Sequence, residues 1–385
     1  MPENWEIGGF GLYVHWPFCQ AKCPYCDFNS HVRKDVDQDL WSQALVTEIY
    51  RHAELTKGRT LSSIFFGGGT PSLMNPIVVS EVIEAARSSW QFSSDIEITL
   101  EANPTSVEAA KFKAIRDGGV NRVSIGVQAL NNRDLQLLGR LHTVGEALQA
   151  VSAARETFDR VSFDLIYARQ HQTLGDWSSE LSRALELGPD HLSLYQLTIE
   201  NGTAFGDRFA LGKLPGLPDD DLSADMFEFT QDATKRAGLP AYEVSNHAKK
   251  GQEGRHNLIY WSGGDYVGVG PGAHGRLTLG DQRIATAATL NPGTWLNDVS
   301  SGQFIDSHSI LSAQEQDCEY LMMSLRTVQG AEISRISRGL PSFKNLQRLI
   351  DDSFVEINDG WIQVTPKGRL VLNGVLRELL TDSSS

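Results

Sequence analysis

The chain has 385 residues, 41% of them hydrophobic and 9% aromatic, enough for a large buried core and for one large plus one small domain. Its formal net charge of −14 argues against wholesale binding of phosphate backbones, which relies on Lys and Arg patches. No run of about 18 apolar residues is present, so no membrane span is expected. MPENWEIGGFGLYVHW shows neither a basic leader nor an apolar stretch, so a cytoplasmic protein with reduced thiols is expected.

Taken from the N-terminus, GLYVHW reads as a short strand ended by Pro17. HWPFCQAKCPYCDFNSH, His15 to His31, then packs three of the four cysteines into one loop. LSSIFF (61–66) reads as a buried strand running into Gly67, Gly68, Gly69 and Thr70, and VVSEVIEAARSSW as a helix. DIEITLEANP (95–104) alternates and stops at proline, SVEAAKFKAIRDGG reads as one helix with a glycine stop, and NRVSIGVQAL as a strand. NRDLQLLGRLHTVGEALQAVSAARETF reads as helical throughout. RVSFDLIY (strand), LGDWSSELSRALELG (helix), DHLSLYQLTIE (strand), DDLSADMFEFTQDATKRAGL (helix) and AYEVSNHA (strand end) come next. About six such alternations imply right-handed βαβ units and a parallel sheet curled toward a partial (βα)6 barrel over residues 1–290. In such barrels the chemistry sits on loops after the C-terminal strand ends. The cysteine loop, GGGTP, Glu101, Gln128 and Asp164 fall there.

The pattern loosens near residue 285, and 291–310, which begins NPGTWLNDVSSGQF, reads as a linker. Residues 311–385 read as helices, a two-strand hairpin in FVEINDGWIQVTPKGR and a last helix, RLVLNGVLRELL. That is a small winged-helix-like α+β domain. Its 8 Lys/Arg against 10 Asp/Glu favours a structural cap over a DNA-binding wing.

Cys19, Cys23 and Cys26 have C-x3-C-x2-C spacing. A structural zinc site needs four ligands, which His15 or His31 could complete. A c-type haem would need histidine after the last cysteine, and Asp27 stands there. Three thiolates can also hold a [4Fe–4S] cube with one iron open. Cys318, far off on an apparent helix, reads as a small buried hydrophobe. The glycine triplet is neither G-x-G-x-x-G nor a P-loop.

C-x3-C-x2-C after the first strand of a βα repeat, with aromatic Tyr25 before the third cysteine, resembles the signature of radical S-adenosylmethionine (SAM) proteins. The resemblance implies a cluster on Cys19, Cys23 and Cys26 whose open iron binds the amino and carboxylate groups of SAM. An electron from a low-potential donor would then split the sulfonium. Gly67–Thr70 resembles the family's glycine stretch, whose bare backbone approaches the methionyl amino group. YVHWPFC, FFGGGTPS, EANP, SIGVQA, LGR and DLIY imply SAM contacts from Tyr13, Tyr25, Gly68, Gly69, Thr70, Glu101, Gln128, Arg140 and Asp164.

Over nearly the whole chain the motifs resemble one subfamily, that of oxygen-independent coproporphyrinogen III dehydrogenase and its haem-chaperone paralogues. The dehydrogenase pattern has a further cysteine two residues after the third; Phe28 stands there instead. It also has a long N-terminal extension, whereas about ten residues precede the first strand here. His256-Asn257-x-x-Tyr260-Trp261 resembles the chaperone branch's haem motif. A neutral imidazole is a good haem ligand, and aromatic faces can pack on a porphyrin. His256 is a candidate axial ligand, with His247, His274 and Tyr260 as rivals. Relatives often carry a cysteine two residues before this histidine, where this chain has Gly254. The chaperone branch implies reversible haem binding, delivery to client haem proteins such as respiratory membrane cytochromes, transient work at the inner membrane face, and room for a homodimer. The alternative is radical decarboxylation of coproporphyrinogen III.

Overall fold

A computed structural model describes residues 4–303, 307–337, 339 and 345–380. Six strands lie side by side in sequence order, all parallel. They are β1 (Phe10–Trp16), β2 (Thr60–Gly68), β3 (Gln91–Ala102), β4 (Arg122–Gln128), β5 (Arg160–Tyr167) and β6 (His191–Gln196). Helices Gln38–Leu55, Pro76–Ser89, Val144–Thr157, Leu174–Glu186 and Asp220–Arg236 alternate with them as the sequence pattern requires. β7 (Asn246–Ala248) closes one edge antiparallel to β6.

The other edge is longer than the sequence suggests. β8 (Asp265–Val269) is a seventh parallel strand beside β1. β9 (His274–Leu279), β10 (Gln282–Ala287) and β11 (Ser307–Ile310) continue as an antiparallel meander. In DYVGVGPGAHG a glycine stands where backbones meet: a Cβ on Gly268 would collide with the backbone of His274. Buried Asp265 ties this edge down through Arg59 (2.6 Å) and Arg283 (2.9 Å).

Alternate side chains of each strand face opposite ways. Leu12 and Val14, Ile64 and Phe66, Ile98 and Leu100, Val123 and Ile125, Phe163 and Leu165 pack in the main core. The intervening positions are largely polar: Tyr13, Ser63, Glu97, Thr99, Glu101, Arg122, Ser124, Ser162 and Asp164. The strands therefore enclose a polar lumen. At its floor, buried Glu97 holds Arg160 at 2.5 Å and accepts the backbone N–H groups of Arg255 (3.0 Å) and His256 (3.3 Å).

Two expected helices are broken, each by a tertiary contact. SVEAAKFKAIRDGG splits into Ser106–Ala109 and Phe112–Asp117, with Glu108 turned inward onto Ser72 and the amide of Asn103. The long segment after β4 splits into Asn132–Leu137 and Val144–Thr157. Between them Gly139 adopts φ 68° against Pro24, and the turn lowers Arg140 toward the cysteine loop.

The expected linker carries structure. Pro292–Ser300 is a helix whose buried Trp295 stacks on Trp41 at 5.2 Å. Trp41 in turn packs edge-on against Trp16 (5.6 Å) and Phe18 (4.9 Å). Residues 304–306 and 381–385 lie outside the described residues. The C-terminal part has its own core, with Leu321, Leu325, Leu349, Val355, Ile362 and Leu376. The hairpin forms as expected, Val355–Asn358 against Trp361–Val364, turning through Asp359 and Gly360 at φ 47° and 84°. Ala331–Glu332 adds a third strand. Ser324 and Arg335 bond the backbone of residues 261–263, which fixes this part against the barrel.

Trp295→Ala should lower the unfolding free energy by about 3–5 kcal/mol, read from urea melts. An unstructured connector would tolerate the change with no shift in midpoint.

Candidate functional site

The cysteine loop leaves β1 at Pro17 and is pinned at both ends. Phe18–Cys19 pairs in parallel with His31–Val32, and the His31 amide bonds the Pro17 carbonyl at 2.7 Å. From the β2 turn, the amides of Gly69 and Thr70 bond the carbonyls of Trp16 (2.7 Å) and Phe18 (2.9 Å). A Cβ on Gly69 would lie 2.7 Å from the Phe18 carbonyl oxygen, and one on Gly68, whose φ is 107°, 2.6 Å from the His15 ring. The protein's own loop and histidine occupy the space where a side chain would stand at these two positions.

Each cysteine has a polar neighbour at its sulfur. Thr70 Oγ1 donates to Cys19 Sγ (3.4 Å) and an Arg140 Nη donates to Cys23 Sγ (3.3 Å). Ser30 Oγ lies 3.9 Å from Cys26 Sγ. No disulfide joins the four cysteines, and burial pushes the thiols of Cys19 and Cys26 up. The histidines that could have completed a zinc site are otherwise engaged. His15 bonds Tyr13 OH (3.0 Å) and the Asn29 carbonyl (2.9 Å), and His31 bonds the Asn29 side chain (3.1 Å). Among the described residues, no three of His, Cys, Asp and Glu are grouped as ligands of a single ion. Three thiols on one pinned loop, with polar donors at the sulfurs, fit a cluster that spreads its ligands over several irons. Cys318 lies elsewhere, half-buried on the helix Ala313–Ser324.

Tyr25, Gln128, Arg140 and Asp164 come together beside this loop. Tyr25 OH donates to Gln128 Oε1 (3.0 Å), and Gln128 Nε2 donates to Asp164 Oδ2 (2.7 Å). Gln128 holds φ 68°, a costly conformation for a non-glycine residue, and its amide also bonds Asp164 (3.2 Å). Arg140 fixes the Gly126 carbonyl (3.1 Å). Glu101 accepts from the Gly68 amide, and burial beside Asp164 raises its carboxyl to about 7. Burial raises Asp164 to about 6, against the opposing pull of Arg140. Tyr195, near the end of β6, is 42% exposed. Two buried carboxyls whose ionised forms are disfavoured suit a cationic ligand.

The haem-like motif lies deeper. Arg255–Trp261 is a short helix, and His256 is buried on the lumen side. Its Nδ1 pairs with Ser63 Oγ (2.7 Å), its Nε2 with Tyr260 OH, and its ring stacks on Phe65 at 5.1 Å. Burial pushes this imidazole down to about 3, so it is neutral. Tyr260 packs against Tyr266 at 4.3 Å. Trp261 faces Tyr242 at 6.2 Å instead, and Asn257 is half-buried. The two rings thus pack on different neighbours. Of the rivals, His247 is fully buried on Thr234 (3.0 Å) and His274 is exposed. At Gly254 a Cβ would lie 3.3 Å from Tyr242 OH, so the missing cysteine would also point inward.

Residues 13–180 match the radical SAM superfamily. Haem chaperone HemW of Escherichia coli is 38% identical over 98% of this chain and all of its own length. The chain belongs to the radical SAM superfamily, in its HemW-like branch. HemW of Mycobacterium tuberculosis is 34% identical over 96% of this chain and 95% of its own. A mitochondrial radical SAM domain-containing protein 1 of Bos taurus is 38% identical over 96% and 87%. The structure of coproporphyrinogen III oxidase HemN, a radical SAM enzyme of Escherichia coli, superposes with a TM-score of 0.81 at 26% identity, over 97% of this chain and 90% of that one. The α/β fold expected from the strand–helix alternation, and the radical SAM barrel that the motif resemblance implies, is thus the fold present. No described helix is long and apolar enough to cross a membrane.

Sequence reasoning missed Asn103, which follows β3 and bonds Arg140 (2.6 Å) and Thr70 (3.1 Å). The signal was the polar residue in EANP, one position past the strand end.

Cys19→Ser, Cys23→Ser and Cys26→Ser should each abolish assembly of the cube after anaerobic iron–sulfide reconstitution, whereas Cys318→Ser should retain full iron. Iron and sulfide counts decide it; a complete cube in any loop variant contradicts the ligand assignment.

Proposed function

We propose that this protein is a radical SAM-type haem chaperone. It carries a [4Fe–4S] cluster on Cys19, Cys23 and Cys26 and holds SAM in the barrel mouth. It binds haem reversibly and hands it to client haem proteins, such as respiratory membrane cytochromes. The observation that carries this reading is likeness to HemW chaperones over 96–98% of this chain, C-terminal domain included. Phe28 at the dehydrogenase's extra cysteine position and the 256–261 motif point the same way.

The residues support separate tasks. Arg140 offers a fixed cation for a carboxylate, while Glu101 and Asp164 offer oxygens for an ammonium. When bound, the cluster would supply the electron for sulfonium cleavage, given a low-potential donor. A cationic ligand favours the ionised form of Glu101 and Asp164, so their pKa values fall on binding and protons leave the site. SAM titrations by calorimetry between about pH 6 and 7 should therefore show net proton release, seen as heats that differ between buffers. The effect should shrink in Asp164→Asn. Equal heats in all buffers would remove the carboxyls from the SAM contact.

Haem ligation by His256 requires its bond to Tyr260 to open, whereas His274 is exposed already. Absorbance titration with haem separates them. His256→Ala should lose most of the ligated spectrum and His274→Ala should keep it; the reverse result would move the axial ligand to His274. Haem transfer to an apo-cytochrome is the functional readout. An anaerobic assay with SAM and coproporphyrinogen III tests the enzyme alternative, and steady formation of protoporphyrinogen IX would overturn the chaperone reading.

A further inference from the structure

Cys19 and Cys23 are linked by more than the loop they share. Asn103 Nδ2 donates to Thr70 Oγ1 (3.1 Å), and Thr70 Oγ1 donates to Cys19 Sγ (3.4 Å). In the other direction an Arg140 Nη donates to Asn103 Oδ1 (2.6 Å), while the second Nη donates to Cys23 Sγ (3.3 Å). The path runs Cys19–Thr70–Asn103–Arg140–Cys23 and draws on the loops after β2, β3 and β4. Asn103 is its centre, since its amide presents a donor one way and an acceptor the other. It is held in place from behind: its backbone N–H bonds Glu108 Oε2 (2.9 Å), and Glu108 is buried and bonded to Ser72. The Nε of Arg140 is buried with no hydrogen-bond partner in the protein. Arg140 is thus fastened through its two Nη groups.

We propose that Asn103 is a positioning residue that sets the reduction potential of the cluster, by orienting Thr70 and Arg140 as donors to the sulfurs of Cys19 and Cys23. This rests on the reading that those cysteines hold a [4Fe–4S] cluster. The physical reason is charge. Reduction adds one electron to the cluster, and part of its charge resides on the thiolate sulfurs. A donor at those sulfurs stabilises the reduced form and raises the potential. Asn103 strengthens both donors. Its N–H polarises the Thr70 hydroxyl, and its carbonyl oxygen anchors one Nη of the guanidinium whose other Nη reaches Cys23.

The experiment is a redox titration of the reconstituted full-length protein, followed by the EPR signal of the reduced cluster. Wild type is compared with Asn103→Ala, Asn103→Asp and Thr70→Val, with iron and sulfide counted in every sample. Asn103→Ala removes both arms of the relay. Asn103→Asp keeps the acceptor for Arg140 and loses the donor to Thr70, and Thr70→Val removes only the hydroxyl. At a fixed solution poise, Asn103→Ala should show about a tenfold lower ratio of reduced to oxidised cluster, equivalent to about 59 mV for a one-electron couple. Thr70→Val should shift in the same direction by less, Thr70→Ser should keep the wild-type value, and Asn103→Asp, which also adds a negative charge, should shift in the same direction at least as far. If Asn103→Ala fails to assemble a cube, Thr70→Val decides. Full clusters with wild-type potentials in the variants that assemble would overturn the relay. A wild-type protein that assembles no cube would instead overturn the cofactor reading itself. Neither result depends on haem binding or transfer.

Discussion

The site depends on how the short loop after β1 is clamped. From beneath, Trp16 and Phe18 stand on Trp41, which is backed by Trp295. From the side, two amides of the β2 turn hold the carbonyls of Trp16 and Phe18. A loop tip with three cysteines and no disulfide has little to order it by itself, and ordering costs about 1–2 kcal/mol per residue. The aromatic stack and backbone ladder meet that cost with contacts remote from the sulfurs, so the thiols stay available for a ligand.

The same clamp shows what was legible in the sequence. Periodicity and glycine stops give the six barrel strands and most of their helices, because strands with one face on an apolar core and the other on a polar lumen alternate in sequence. Cysteine spacing gives the cluster loop. Glu101, Gln128, Arg140 and Asp164 each look like ordinary strand-end polar residues, and only family likeness assembles them. What stayed hidden was decided across the fold. The helix breaks at Glu108 and Gly139 answer to partners on other elements, and local propensity does not contain them. The role of the 291–310 segment depended on Trp295 meeting Trp41. Its composition, rich in Asn, Gly and Ser, described its ends and not its buried face.

The lumen is the second feature that composition conceals. Its floor is charged, with Glu97 between Arg160 and Arg122, and its middle is filled by His256, Tyr260, Phe65 and Tyr13. A histidine, a tyrosine and an aromatic pair thus fill the barrel toward its floor, away from the C-terminal strand ends where such barrels place their chemistry. The motif that suggests haem is in this conformation part of the barrel's own interior.

The helix carrying that motif is fastened at each end. Its leading amides rest on Glu97 in the barrel floor, and its last carbonyl is held by Ser324 of the C-terminal domain at 2.7 Å. Tethered in this way, it cannot swing like a free flap. To bare His256, it must part with a buried carboxylate below and with the neighbouring domain above. Baring the imidazole would therefore take a joint movement of this helix and the C-terminal part, not the lifting of a local flap.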